Sequence, residues 1–269
     1  MILVVFDNGG TLIADPFTAT LERLRANTAA LRDLHNQLDV DLLDCIISCW
    51  VEENASFDFP FASHFLQEEV WILRALDRVM KQDGRITADC VPILAPQLLY
   101  TYRRLAQEIV ERQPQIPKIK SCLRSLPQRE KLILAVASND REFATHAMLK
   151  WAGLYESFDL IVTSEGLSTN NSVIQKPSDE FFVALESRVQ TLTGNRISAK
   201  IHIGDNETND IEAPSRLGYT TVRYINKFNP AEMKWLDHRS KTAAPYKYTD
   251  PAELYELLPR MIEELSNVQ

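Results

Sequence analysis

The 269-residue chain contains no apolar run that approaches the length of a membrane span, so no membrane partner is expected. Its apolar start, Met1 to Phe6, has no basic flank and meets Asp7 too soon for a signal peptide; the expected location is the cytoplasm. The four cysteines, Cys45, Cys49, Cys90 and Cys122, form no Cys-x-x-Cys pair, and none lies near a histidine at zinc-ligand spacing. Reduced, mostly buried thiols follow. Charge is not gathered into a tail: the formal net charge of -8 is spread along the chain, which argues against a surface for phosphate backbones and so against a nucleic-acid partner. Internal repeats and low-complexity segments are absent as well. What is present is 45% hydrophobic content, enough for one large core or a core plus a smaller second domain.

Short apolar runs of strand length recur at "ILVVF" (2–6), "LILAVA" (132–137), "LIVT" (160–163), "KIHIG" (200–204) and "TTVRY" (220–224). They are nearly continuous rather than alternating, the pattern of parallel strands covered on both faces. Helix-period stretches at 141–152, 178–190 and 208–217 separate them, which predicts an α/β protein with an open, doubly wound parallel sheet. From about Phe17 to about Gln113 the rhythm breaks, and residues such as Leu21, Leu24, Leu31 and Leu34 recur at helical spacing instead. The expected organisation is a core domain of residues 1–16 and 114–269, interrupted by an α-helical cap domain over 17–113, with the proline-punctuated "QPQIPK" at the second crossing. The last quarter holds a long polar loop, 226–244, then an edge strand near Tyr246 to Thr249 and a helix opening on Pro251.

In such a sheet, ligands bind outside the carboxyl ends of the strands. Asp7 follows the first run, Ser138 and Asn139 follow the second, and Asp205 follows "KIHIG" with Asp210 shortly after it. Lys176 lies in "QKPSDEFF", just before a helix. Singly, each has a plain structural explanation as a turn or a helix cap. Together they bring carboxylates, one cation and one hydroxyl to one sheet edge. Carboxylates so placed repel one another unless something positive sits between them, and oxygen ligands without His or Cys suit Mg²⁺. A magnesium site beside a lysine is a site for an anionic substrate.

The order and spacing of these motifs resemble the haloacid dehalogenase-like hydrolase superfamily, of the kind with a helical cap after the first motif. The family's Asp-x-Asp-Gly-Thr-Leu corresponds to "DNGGTL", and its strand ending in Ser or Thr to "LAVASN". Its Lys-Pro corresponds to Lys176-Pro177, and its Gly-Asp with a downstream Asp to "GDNETND". The resemblance covers nearly the whole chain and implies a Rossmann-like sheet core. It further implies Asp7 as a nucleophile that takes a phosphoryl group, Ser138 as a hydrogen-bond donor to that group, and Lys176 as the neutralising cation. Asp7, the backbone carbonyl of Gly9, Asp205 and Asp210 would hold Mg²⁺. Gly10, Thr11 and Asn139 would lie on the substrate-binding side, with Thr11 bracing the turn and Asn139 supporting the phosphoryl site or capping the next helix.

Gly9 departs from the family pattern. The residue two after the nucleophile is usually Asp, the general acid and then base, a contribution of about 10²- to 10⁴-fold in rate. Glycine supplies neither function but keeps the carbonyl that binds metal. Relatives that work through a Schiff-base lysine in the early cap are excluded, because no lysine precedes Lys81. Metal-free dehalogenases are disfavoured by Gly9 and by the Asp205/Asp210 pair. The expected activity is therefore a Mg²⁺-dependent phosphohydrolase for a small phosphorylated substrate, with a good leaving group or a cap carboxylate (Glu52, Glu53, Asp58, Glu68 or Glu69) standing in for the missing acid. A binding module that retains Mg²⁺ and a phosphorylated ligand, and a phosphotransferase, are the alternatives. Elsewhere, the phenylalanine-rich "FDFPFASHF" (57–65) reads as cap core, and His202 as a packed core histidine.

Overall fold

A computed structural model describes residues 1–26, 40–56, 68–83, 86–169, 172–225 and 243–267. The chain divides into two compact units, one of residues 1–14 with 113–269 and the other of residues 15–112.

The first unit is built on six strands: β1 (Ile2–Asp7), β2 (Leu132–Ser138), β3 (Leu160–Thr163), β4 (Ala199–Gly204), β5 (Thr220–Tyr224) and β6 (Tyr246–Tyr248). They run parallel in the order β3-β2-β1-β4-β5-β6. This is the α/β, Rossmann-like sheet expected from the five apolar runs, with the C-terminal edge strand added. Every residue of β1 and β2 is buried, because helices cover both faces of the sheet. On one face Leu3 and Val5 of β1 and Ala135 of β2 pack with Phe181, Phe182, Leu185 and Val189 of the helix Asp179–Thr193.

Local chemistry sets where these helices begin and end. Asp179–Thr193 has two acids in its first turn, favourable at the positive end of a helix dipole, and closes on Gly194 at φ 65°, a left-handed conformation that glycine adopts without strain. The C-terminal helix Pro251–Asn267 opens with a reciprocal cap: Asp250 Oδ1 accepts from the Ala252 N–H at 2.8 Å and Glu253 Oε1 accepts from the Asp250 N–H at 3.1 Å. One expected helix differs. Residues 208–217 do not form a single α-helix; Glu207–Glu212 is a π-helical turn, followed by one α-helical turn, Ala213–Arg216. Pro214 has no N–H to continue an α-ladder across that junction.

The described residues of the second unit form four helices, Phe17–Ala26, Val40–Ser56, Glu68–Asp83 and Val91–Glu111. Leu42, Leu43, Ile46 and Ile47 repeat at helical spacing and are all buried, as are Ile72, Ala75, Leu76 and Val79. Leu21 and Leu24 are buried in the first of these helices, whereas Leu31 and Leu34 lie outside the described residues. Among the described residues, no helix is long and apolar enough to cross a membrane.

Candidate active site

Strand order brings the distant motifs to one edge. Because β1 lies between β2 and β4, with Asp7 in register with Ala137 and Phe6 with Ile203, the C-terminal ends of these three strands adjoin. Asp7 ends β1, Ser138 ends β2, and Asp205 directly follows β4.

The "NGG" after Asp7 folds into a tight turn. The Asn8 carbonyl accepts from the N–H groups of Leu12 and Ile13, each at 3.1 Å, and the Gly10 N–H donates to the Ile13 carbonyl at 3.0 Å. Gly10 sits at φ 82°, and a Cβ there would overlap the Asp205 carboxylate, so both backbone and space require glycine. The Thr11 hydroxyl lies 3.5 Å from Asp205 Oδ1, at the long limit of a hydrogen bond.

Lys176 is the centre of the site. Its side chain is 2% exposed, and Nζ donates to Asp7 Oδ1 at 2.5 Å and to Asp210 Oδ1 at 2.7 Å. Asn139 holds the backbone that carries it: the Asn139 amide donates to the Lys176 carbonyl at 2.9 Å and its Oδ1 accepts from the Lys176 N–H at 2.8 Å. The Ser164 hydroxyl donates to the same Oδ1 at 2.9 Å. Asn139, expected on the substrate-binding side, therefore uses its amide to clamp the Lys176 loop.

Asp210 is equally enclosed. Its Oδ1 also accepts from His202 Nε2 at 3.2 Å, and its Oδ2 accepts from the Asn206 N–H at 3.1 Å. The His202 ring must carry its hydrogen on Nε2 for this bond, since an ionised carboxylate only accepts. A Cβ on Gly204 would overlap the Asp210 side chain, which makes the Gly204–Asp210 approach a second place where only glycine fits. His202 is buried as expected, but its contact with Asp210 is invisible in the sequence, because it depends on the π-turn that swings Asp210 back beneath β4.

Asp7, Asp205 and Asp210 each offer an oxygen, all within 4.8 Å of one another, and Lys176 donates to two of the three carboxylates. Burial pushes the Asp7 carboxyl well above the usual carboxylate range; Lys176 opposes this, while Asp210 and Asp205 add to it. Burial alone would raise Asp210 too, but Lys176 and the hydrogen bond from His202 overcome it and hold that carboxyl down at about 2. Burial would lower Lys176, and the two carboxylates outweigh it, so its pKa is raised and the ammonium persists. His202 is lowered by burial, against the pull of Asp210, and stays neutral. The ionised form of Asp7 is thus the one that the cluster disfavours most.

Ser138 occupies the remaining strand end. Its hydroxyl donates to Asp140 Oδ2 at 3.2 Å and accepts from the Asp140 N–H at 3.1 Å. Asp140 carries no motif signal and escapes a reading of the sequence. Of the acids considered in the second unit, Glu52 pairs with Arg78 at 2.7 Å, whereas Asp58, with the whole 57–65 aromatic stretch, lies outside the described residues. His35, His238 and the polar segment 234–241 lie outside them as well. His146 stacks edge-on against Tyr155, with ring centroids 5.3 Å apart.

A six-stranded parallel sheet with a carboxylate-lysine cluster at its C-terminal edge is an α/β architecture with its polar site where such sheets bind ligands. Among solved structures the chain is similar to 2-haloacid dehalogenase from Pseudomonas syringae pv. Tomato DC3000, at 19% identity and TM-score 0.55, over 97% of this chain and 100% of that one. It is similar to a HAD phosphatase from Thermococcus onnurineus at 15% identity and TM-score 0.52, over 96% and 98% of the two chains. It is also similar to the magnesium-bound HAD-hydrolase YfnB from Bacillus subtilis at 18% identity and TM-score 0.50, again over 96% and 98%. At these identities the likeness shows the fold. No curated protein matches the sequence. The model of the haloacid dehalogenase-like hydrolase family matches residues 2–218, and the chain belongs to that family.

Proposed function

We propose that the protein is a Mg²⁺-dependent phosphohydrolase that cleaves a small phosphorylated metabolite through an aspartyl phosphate on Asp7. The observation that carries this reading is the cluster of three carboxylates around one buried lysine, with ligand oxygens within 4.8 Å. Oxygen donors alone suit a hard divalent cation, and the ionised form of Asp7, which burial and the neighbouring carboxylates disfavour, is what such a cation stabilises. Asp7, Asp205 and the Gly9 carbonyl would hold it, with Asp210, whose oxygens already take three protein donors, acting directly or through water. When bound, Mg²⁺ polarises a phosphoryl oxygen.

The chain's own groups account for the rest. Asp7 attacks phosphorus, and the leaving oxygen departs with its electron pair. Lys176 keeps Asp7 oriented and offsets charge on the transferring group, and the Ser138 hydroxyl turns its proton from Asp140 Oδ2 to a phosphoryl oxygen. Gly10 and Thr11 shape the turn that faces this group. Water then releases phosphate and restores Asp7. Four free thiols agree with work in the cytoplasm.

Of the neighbours in structure, one is a dehalogenase and another a phosphatase, and the carboxylate cluster favours the latter reading. Phosphate release from p-nitrophenyl phosphate and acetyl phosphate, with Mg²⁺ and with chelator, tests the proposal beside halide release from 2-chloropropionate. Release of phosphate that needs both Mg²⁺ and Asp7 is expected, with Asp7→Asn folded and inactive. Halide release, or phosphate release that persists in Asp7→Asn, would overturn it. A phosphorylated acceptor in place of inorganic phosphate would mark a phosphotransferase instead.

A further inference from the structure

Gly9 leaves the position two residues after Asp7 without a side chain, yet the backbone does not demand glycine there. The left-handed conformation of this turn falls on Gly10, not on Gly9. A Cβ built on Gly9 would meet a single atom within 4 Å among the described residues, Asp140 Oδ2 at 3.8 Å, which is ordinary van der Waals contact. The space beside the Gly9 backbone is therefore open, and a carboxylate oxygen borders it.

That oxygen is held in place. Asp140 Oδ2 accepts from the Ser138 hydroxyl at 3.2 Å, and the Asp140 N–H donates back to the same hydroxyl at 3.1 Å, closing a turn at the end of β2. Because β2 lies beside β1 with Ala137 opposite Asp7, this turn adjoins the loop that carries Gly9. Asp140 is half-buried, and one of its carboxyl oxygens borders the place a side chain on Gly9 would take.

We propose that Asp140 is the general acid and base of the reaction at Asp7, supplying from the end of β2 what Gly9 does not. The inference rests on the phosphohydrolase reading above. In the first step the bond from phosphorus to the leaving oxygen breaks, its electron pair stays on that oxygen, and the oxygen takes a proton from the Asp140 carboxylic acid as Asp7 bonds to phosphorus. In the second step a water oxygen bonds to phosphorus, the bond to Asp7 breaks, and Asp140 takes the water proton. Asp140 is thereby returned to its acid form and inorganic phosphate leaves.

The test compares phenyl phosphate with p-nitrophenyl phosphate, two substrates of similar shape whose leaving groups differ in their need for a proton, with Mg²⁺ present. In Asp140→Asn, which keeps an oxygen to accept from Ser138, kcat/KM for phenyl phosphate should fall by about 10²-fold or more, while that for p-nitrophenyl phosphate falls by less than about tenfold. A burst of p-nitrophenol followed by a slow steady state should appear, because release of phosphate from Asp7 has lost its base. Adding Gly9→Asp to Asp140→Asn should restore phenyl phosphate turnover, since the space at Gly9 admits a side chain. Equal loss on both substrates, or no loss on phenyl phosphate, would overturn the role of Asp140 and leave the phosphohydrolase reading standing. No Asp7-dependent hydrolysis of either substrate by the wild type would overturn both.

Discussion

At the scale of single residues, the site is shaped as much by what is missing as by what is present. Gly10 and Gly204 each leave room for a carboxylate, Asp205 at the first and Asp210 at the second. Gly204→Ala should cost about 1–3 kcal/mol, the usual range for forcing atoms into a filled space, and should displace Asp210 from Lys176. Denaturant unfolding checks the first effect, and loss of Mg²⁺-dependent activity the second. Gly9 differs from both, because among the described residues only an oxygen of Asp140 comes within 4 Å of the place its Cβ would take. A sequence cannot separate these three glycines. Each stands in or beside a motif, and only the atoms around them show which are sterically required.

At the scale of elements, the helix Asp179–Thr193 links the core to the chemistry. Phe182 is fully buried against the sheet, its ring meets His202 edge-on at 5.6 Å and Tyr219 at 5.8 Å, and His202 in turn donates to Asp210. Phe182→Ala should destabilise the protein by about 3–5 kcal/mol through lost burial and the cavity left behind. It should also free the His202 ring, so activity at temperatures where the variant is still folded should fall as well. Thermal unfolding together with rates at low temperature separates the two effects. The π-turn Glu207–Glu212 is the element that periodicity reads least well, since a widened turn keeps the composition of a helix while shifting where its side chains point. That shift carries Asp210 under β4 and into contact with both His202 and Lys176.

At the scale of the whole molecule, folding brings together three carboxylates that the unfolded chain keeps apart in water. Mg²⁺ that binds the folded state and not the unfolded one should raise stability by about 2.7 kcal/mol at a hundred times its dissociation constant. Melting curves with Mg²⁺ and with chelator check this, and Asp205→Asn should show a much smaller shift. No shift in the wild type would mean that the three carboxylates do not hold the ion. The sheet sets the geometry on which this depends, because parallel strands with buried faces on both sides expose their C-terminal ends at one edge.

The sequence by itself determined the six strands, the helical character of the region after Phe17, and the places where Asp7, Ser138, Lys176, Asp205 and Asp210 stand relative to the strand ends. These are local facts, written in apolar runs, periodicity and short motifs that need no partner to be recognised. Tertiary structure alone decided the contacts between them. Lys176 and Asp7 are 169 residues apart in the chain, and Asp140 meets the Gly9 loop because β2 pairs with β1, not because of any spacing. Asn139, which its motif places beside the phosphoryl site or as a helix cap, bonds the Lys176 backbone with its amide, since hydrogen-bond partners are chosen by proximity in the folded sheet edge. Residue type and order fix which groups can act; the packing of strands and turns fixes which atoms they meet.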